Sequence, residues 1–97
     1  GFRVSYQSIT ASGVTSSNKN YILGIGGSSA LEFRIHSAST AGSGAILLVK
    51  DEAASRSGPI TISASSGNTI DGASSYEISG SSPAISLYSN GANWFVF

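Results

Sequence analysis

The sequence contains no cysteine and no methionine, and only five basic and five acidic residues among its 97. Without cysteine the chain can form no disulfide and no cysteine-based zinc site. The charges cancel and leave no basic stripe, so we expect no nucleic-acid partner. No apolar run approaches the roughly 20 residues of a membrane-spanning helix, so we expect no membrane insertion.

Small residues take the place of the missing charges, with 12 Gly and 22 Ser in the chain. Serine and glycine enrichment can indicate disorder, but 40% hydrophobic content with ten isoleucines favours a folded chain, here one domain over residues 1–97. A folded domain with few ions and zero net charge is prone to self-association. We therefore expect part of its surface to face other copies.

Short apolar–polar alternations separated by Gly, Asn, Asp and Ser predict strands joined by tight turns. Leu31, Phe33 and Ile35 alternate with polar residues, and this period of two favours a strand over residues 30–36 against the competing helix. No helical period runs for ten residues or more. We expect strands at residues 2–7, 21–25, 30–36 and 45–49, a loop at 37–44, and further short strands from Pro59 onwards.

Two of these strands carry a prediction about burial. In residues 2–7 the alternation puts Phe2, Val4 and Tyr6 together on a buried face. The continuous apolar run of residues 45–49 predicts a strand with both faces covered.

The C-terminal segment contains the best hairpin candidate, with Asn90-Gly91 between Ala84–Ser89 and Asn93–Phe97. Asn-Gly suits the positive φ angles of a type I′ turn, and Asp71-Gly72 is typical of a turn as well. In the last strand Trp94 and Val96 point one way and two phenylalanines the other. A strand apolar on both faces lies between two layers or against a neighbouring subunit.

Four short segments repeat weakly every eight to ten residues: Ile60-Thr-Ile-Ser, Thr69-Ile-Asp-Gly, Tyr76-Glu-Ile-Ser and Ile85-Ser-Leu-Tyr. Stacked β-helix rungs and successive hairpins both give such spacing. The fold class predicted is all-β, with short antiparallel strands in a sandwich or intertwined β-prism and without substantial helix.

The sequence offers little for catalysis or metal binding. His36 is the only histidine, no Gly-x-Ser-x-Gly elbow is present, and the carboxylates cannot be paired from sequence. We expect His36 on the polar face of its strand beside Glu32 and Arg34, and we expect no enzyme activity, no cofactor and no metal. A metal held by three copies of His36 on a trimer axis is the alternative.

Tyr88, Asn90, Asn93 and Trp94 form the candidate ligand site, because sugar sites combine an exposed aromatic ring with amides. The competing interpretation, which we favour, is that Trp94 belongs to the core or a trimer interface and Asn90 shapes the turn.

Residues 45–97, in particular the run from Tyr88 to Phe97 (Tyr-Ser-Asn-Gly-Ala-Asn-Trp-Phe-Val-Phe), resemble a module at the C-terminus of bacteriophage tail-fibre, tail-spike and virion-fibre proteins. The resemblance implies a homotrimeric fibre domain on the outside of a virion that attaches to a host-surface glycan or receptor. Two alternatives remain: a purely structural trimerisation or capsid-decoration module, and a monomeric carbohydrate-binding module. Residues 1–44 match no module in this way.

Overall fold

A computed structural model describes residues 1, 3–17, 21–53 and 55–97, and it shows a fold of two β-sheets. The only helix in these ranges is the single turn α1 (Ala38–Ala41), inside the expected loop, so the all-β prediction is confirmed. The strands are β1 (Tyr6–Ile9), β2 (Ile22–Ile25), β3 (Ser29–Arg34), β4 (Ile46–Asp51), β5 (Ser57–Ser63), β6 (Ser75–Ile78), β7 (Ala84–Ser89) and β8 (Trp94–Val96).

Both sheets are mixed, which corrects the prediction of antiparallel strands. The larger sheet has the order β1-β2-β4-β7-β8 and the smaller one β3-β5-β6. The pairs β1–β2, β2–β4 and β3–β5 are parallel, whereas β4–β7, β5–β6 and β7–β8 are antiparallel.

The parallel pairs arise because the chain winds between the two sheets. From β2 it crosses to β3 in the smaller sheet, returns to β4 beside β2, and crosses again to β5 beside β3. We use the word coil for a strand of the larger sheet together with the segment of the smaller sheet that follows it along the chain. The first coil is β1 with residues 14–16, which bridge to β3 through Thr15 and Arg34; the second is β2–β3 and the third β4–β5. Each coil stacks parallel on the one before, with one register shift where β3 pairs with β5, between Ser29 and Leu31.

Beyond β5 the chain reverses direction. β6 runs antiparallel to β5, β7 antiparallel to β4, and β8 antiparallel to β7. Of the four weakly repeated segments, the first lies in β5 and the other three lie in this reversing half. The stacked coils before Ile60 show no such repeat.

The inner faces of the two sheets supply one hydrophobic cluster. Leu31, Phe33 and Ile35 are buried as predicted, and they face side chains of the larger sheet. The fully buried large side chains are Trp94, Phe33, Ile9, Leu23, Ile25, Ile35, Leu47, Ile60, Ile62, Ile70, Leu87 and Val49.

Two burial predictions are wrong. In β1 it is Ile9 that is buried, whereas Val4 and Tyr6 are exposed, because the inward-facing positions of this strand are the odd-numbered ones. Phe2 lies outside the described residues. In β4 only one face is covered: Leu47 and Val49 are buried, but Ile46 and Leu48 are 45% and 42% exposed.

The two predicted turns differ in type. Asp71 and Gly72 both have positive φ, and Ile70 and Ala73 exchange backbone hydrogen bonds across them, as in a two-residue type I′ turn. At the other turn Ser89 pairs with Trp94, so four residues close the hairpin and Asn90 has no positive φ. The hairpin prediction is confirmed and its type I′ geometry is wrong.

Arg56 fastens the third coil to the second. Its guanidinium is 3% exposed and donates to both carboxylate oxygens of Asp51, at 3.0 and 3.2 Å. It also donates to the carbonyls of Ile25 and Gly26, where β2 ends, and to that of Ser29, where β3 begins. The planar fork of arginine is suited to such simultaneous contacts.

Arg56→Ala should lower the free energy of unfolding by about 3–5 kcal/mol, because it leaves the buried Asp51 carboxylate without its guanidinium partner. Urea denaturation measures the change. The matched control is Arg34→Ala, whose side chain is exposed, and we expect it to cost less than about 0.5 kcal/mol. Equal losses in the two variants would contradict a structural role for Arg56.

Candidate functional site

The outer face of the larger sheet carries an apolar surface that no described residue covers. Ile46, Tyr88 and Phe95 are cross-strand neighbours in the register, so they share this face. Leu48 follows on the same face of β4, and Phe97, the most exposed of the set at 64%, lies beside β7. We call Ile46, Leu48, Tyr88, Phe95 and Phe97 the aromatic face.

The three rings of this face contact one another. Tyr88 stacks on Phe95 with ring centroids 5.4 Å apart and meets Phe97 edge-on at 5.6 Å. These are favourable aromatic geometries. The cluster is therefore an ordered feature of the surface, and Tyr88 still exposes 39% of its area.

A shallow groove of about 820 Å³ borders the aromatic face where β6 and the β7–β8 hairpin diverge. Tyr76, Ile85 and Val96 line its apolar floor and Phe97 its rim. Lys50 and Glu77 are the charged residues along it. An apolar groove beside an exposed aromatic cluster extends the surface that a partner could cover.

The predicted ligand site is not brought together as one surface. Tyr88 is paired with Phe95, and Trp94 is the next residue along β8, so Tyr88 and Trp94 point to opposite faces of the sheet. The Trp94 ring is 0% exposed, and its Nε1–H donates to the carbonyl of His36 at 3.0 Å. It cannot stack on a sugar in this conformation and is a core residue.

Asn90 and Asn93 use their side chains within the chain. The Oδ1 of Asn90 accepts from the backbone N–H groups of Ala92 and Asn93, which holds the four-residue loop. The Oδ1 of Asn93 accepts from the N–H of Thr69 and ties the loop to the preceding segment. Of the four predicted residues, only Tyr88 presents an exposed ring.

The burial of Trp94 predicts a fluorescence result, because it is the only tryptophan. The native emission should be blue-shifted relative to the urea-unfolded chain and shielded from iodide. Tyr88→Ala should leave both properties unchanged. A red, iodide-accessible native emission would contradict the inward orientation of Trp94.

His36 lies inside the protein, which corrects its predicted place beside exposed Glu32 and Arg34. It is 7% exposed and meets Trp94 edge-on with centroids 5.4 Å apart. In this position it cannot meet its copies on a trimer axis. Its Nδ1 lies 2.7 Å from the Oγ of Ser16, a partner that sequence reasoning missed because it is 20 residues away.

The Ser16–His36 pair is built as a core contact. The Oγ of Ser16 accepts from the backbone N–H of His36 at 3.0 Å and forms a second hydrogen bond with Nδ1, whose direction follows the tautomer of His36. Ser16 is 4% exposed. A serine nucleophile needs room for a substrate carbonyl and oxyanion donors beside it, and this pair is enclosed by the core.

Burial lowers the pKa of His36 below its ordinary 6.5. The folded state then binds a proton at His36 less readily than the unfolded chain does. The contribution of neutral His36 to the free energy of unfolding is therefore fully present above pH 6.5, and it is lost as the pH falls through the lower pKa of the folded state. In the His36→Gln variant the free energy of unfolding should therefore depend less on pH in the range just below 6.5.

A second loss of stability should remain in the His36→Gln variant at lower pH. The hydrogen bond from Arg56 lowers the pKa of Asp51 below 3.8, so the stabilisation by the carboxylate is present above that pH and is lost below it. Urea titrations from pH 8 to pH 3 separate the two losses. If the variant keeps the wild-type slope just below pH 6.5, His36 is not the source of the first loss.

At the other end of the same outer face, Tyr6 and Glu52 are hydrogen-bonded at 2.7 Å. This hydrogen bond raises the pKa of Tyr6 above its ordinary 10.0. The two side chains meet above Gly24, where a Cβ atom would collide with both the carboxylate and the hydroxyl. A side chain at position 24 would therefore displace the Tyr6–Glu52 pair from its present position.

Among residues 1, 3–17, 21–53 and 55–97, no group of three His, Asp or Glu side chains is arranged to hold a metal ion. Within the same ranges no helix has the length and hydrophobicity needed to cross a membrane.

Comparison with protein-family models, with curated proteins and with solved structures gave no match for this chain. The resemblance of residues 45–97 to a phage fibre module thus stays a prediction.

Proposed function

We propose that this chain is a non-enzymatic fibre module that assembles with copies of itself through the aromatic face and serves attachment to a host surface. The observation that carries the proposal is the exposure of Ile46, Leu48 and Phe97, at 45%, 42% and 64%, on one side of an ordered sheet. Contiguous exposed apolar surface on a domain is typical of interaction sites.

The composition supports self-association over binding of a charged partner. Apart from Lys50 and Glu52 at the end of β4, the strands of this outer face present neutral side chains. A neutral apolar surface finds its best match in another such surface. Closed symmetry is the usual outcome for identical chains, and the proposed assembly is a homotrimer, as the resemblance implies.

The mechanism of attachment is avidity. Three identical weak contacts carried on one rigid unit raise the effective affinity for a surface without a deep pocket. Under this proposal the domain lies on the outside of a virion, and the surface partner is a glycan or protein receptor of the host.

Light scattering tests the assembly. The wild-type chain should give three times its 9.8 kDa mass. Leu48→Lys should give a folded single chain, because Leu48 is exposed and its replacement leaves the core intact while placing a charge in the contact. The matched control is Ser75→Lys on the outer face of the smaller sheet, which should stay trimeric. A wild-type monomer, or equal behaviour of both variants, would contradict the proposal.

A monomeric carbohydrate-binding module is the second candidate, and the exposed Tyr88 ring is the observation that favours it. An aromatic ring at a surface packs on the C–H face of a sugar. A glycan-binding assay on wild type and Tyr88→Ala distinguishes the candidates. Sugar binding by a single wild-type chain that is lost in the variant would establish the second, and binding that requires the trimer would support the first.

A further inference from the structure

The larger sheet has an uncovered edge at β1. The N–H of Ile22 donates to Ser5 and that of Gly26 to Ile9, so the odd-numbered peptide groups of β1 face β2. Successive peptide groups of a strand point to opposite sides. Tyr6 and Ser8 therefore direct their backbone N–H and C=O groups away from the sheet, and no described residue lies along that edge.

The first coil also forms an edge of the smaller sheet, through residues 14–16 beside β3. Arg34 donates its N–H to Val14 and accepts from Ser16, at 2.9 and 2.8 Å, so the peptide groups of Thr15 face outwards. The first coil therefore presents two parallel-strand edges side by side, one from each sheet. We call this the open end.

The opposite edge of the larger sheet is sealed. Along β8 the N–H of Trp94 donates to Thr69 at 2.9 Å, and its carbonyl accepts from Asp71 at 3.0 Å. The Oδ1 of Asp71 accepts from the N–H of Val96 at 3.0 Å. The type I′ turn at Asp71-Gly72 thus occupies the backbone groups that would otherwise recruit another strand.

Among the described residues, the open end has only one of the features that protect an edge, the shortness of its strands. Proteins also defend exposed edges with lysine, proline, bulges or inward charges. β1 reads Tyr-Gln-Ser-Ile, with no charge and no proline, and its pairing with β2 is regular. By contrast, the edge strand β6 carries Glu77. A neutral, regular edge opposite a sealed one favours further pairing at β1.

We infer that the open end receives a further coil of a β-solenoid shaft, of which this domain is the terminal cap. The occupant is an extended, uncharged coil whose first strand runs parallel to β1 and whose second runs parallel to residues 14–16. This added coil would pack on the first coil as the first packs on the second and the second on the third. In the existing stack Tyr6, Ile22 and Leu48 are successive cross-strand neighbours. The inference stands on the coil geometry and does not require the proposed attachment function.

The test adds a probe coil to the whole chain. A synthetic peptide with the sequence of residues 4–17 repeats the first coil, has no charged side chain and is mostly polar. Added at millimolar concentration, it should slow hydrogen exchange at the amides of Tyr6, Ser8 and Thr15, as followed by NMR. The amides of Trp94 and Val96, at the sealed edge, should not change.

The Ser8→Pro variant removes one outward N–H without removing a bond to β2, and it should bind the peptide about tenfold more weakly or not at all. Ser8→Ala keeps the N–H and should bind as wild type. Ser8→Lys places a charge beside the edge and should also weaken peptide binding. It replaces Ser8→Pro as the test variant if the proline variant does not fold.

Three results would overturn the inference. These are absence of peptide binding to the wild type, equal binding by Ser8→Pro and Ser8→Ala, and protection of Tyr6 and Ser8 that rises with protein concentration before any peptide is added. The last result would identify a second copy of the chain as the occupant.

Discussion

The buried guanidinium of Arg56 is the contact on which the coil stack depends. It neutralises Asp51 at the end of β4 and satisfies three carbonyls at the corner between β2 and β3. Corners are where a coiled chain loses its ladder hydrogen bonds, so carbonyls there need donors from elsewhere. Arg56 donates to all three, although the carbonyl of Ile25 also accepts from the N–H of Glu52, and it fixes the position of the third coil on the second.

The stack in turn determines which residues face outwards. Because β4 pairs with β2 on one side and β7 on the other, its alternation divides the run from Ile46 to Val49 between core and surface. The register then brings Ile46, Tyr88 and Phe95 into one row. The aromatic face is thus a consequence of the same pairings that bury Leu47 and Leu87.

Strand character could be predicted from local patterns, as at residues 30–36, where alternation alone places Leu31 and Phe33 inside. The stacking of coils could not. Ile22 pairs with Tyr6, sixteen residues earlier, and with Leu48, twenty-six residues later, so unequal connections leave no period in the sequence. Gly24 likewise gives no local signal, because the side chains that close over it come from β1 and the residue after β4.

The candidate site was only partly predictable for a related reason. A two-residue turn at Asn90-Gly91 would pair Trp94 with Leu87, and the observed four-residue loop pairs it with Ser89, so the ring lies on the same face of the sheet in either case. Both faces of β8 are apolar in the sequence, however, and only the packing of the two sheets shows that the face carrying Trp94 is the buried one. Sequence patterns found the hairpin and its aromatic residues. They could not show that Tyr88 groups with Phe95 and Phe97 while Trp94 joins His36 in the core.

We propose that copies of this chain meet through the outer face of the larger sheet. Cross-linking of single-cysteine variants can locate that contact, because the chain has no cysteine of its own. Leu48→Cys and Ser75→Cys place one thiol on the outer face of each sheet. In dilute solution a short bismaleimide should join chains of the Leu48→Cys variant and leave those of Ser75→Cys separate. Unlinked Leu48→Cys chains, or equal linking of both variants, would contradict the account.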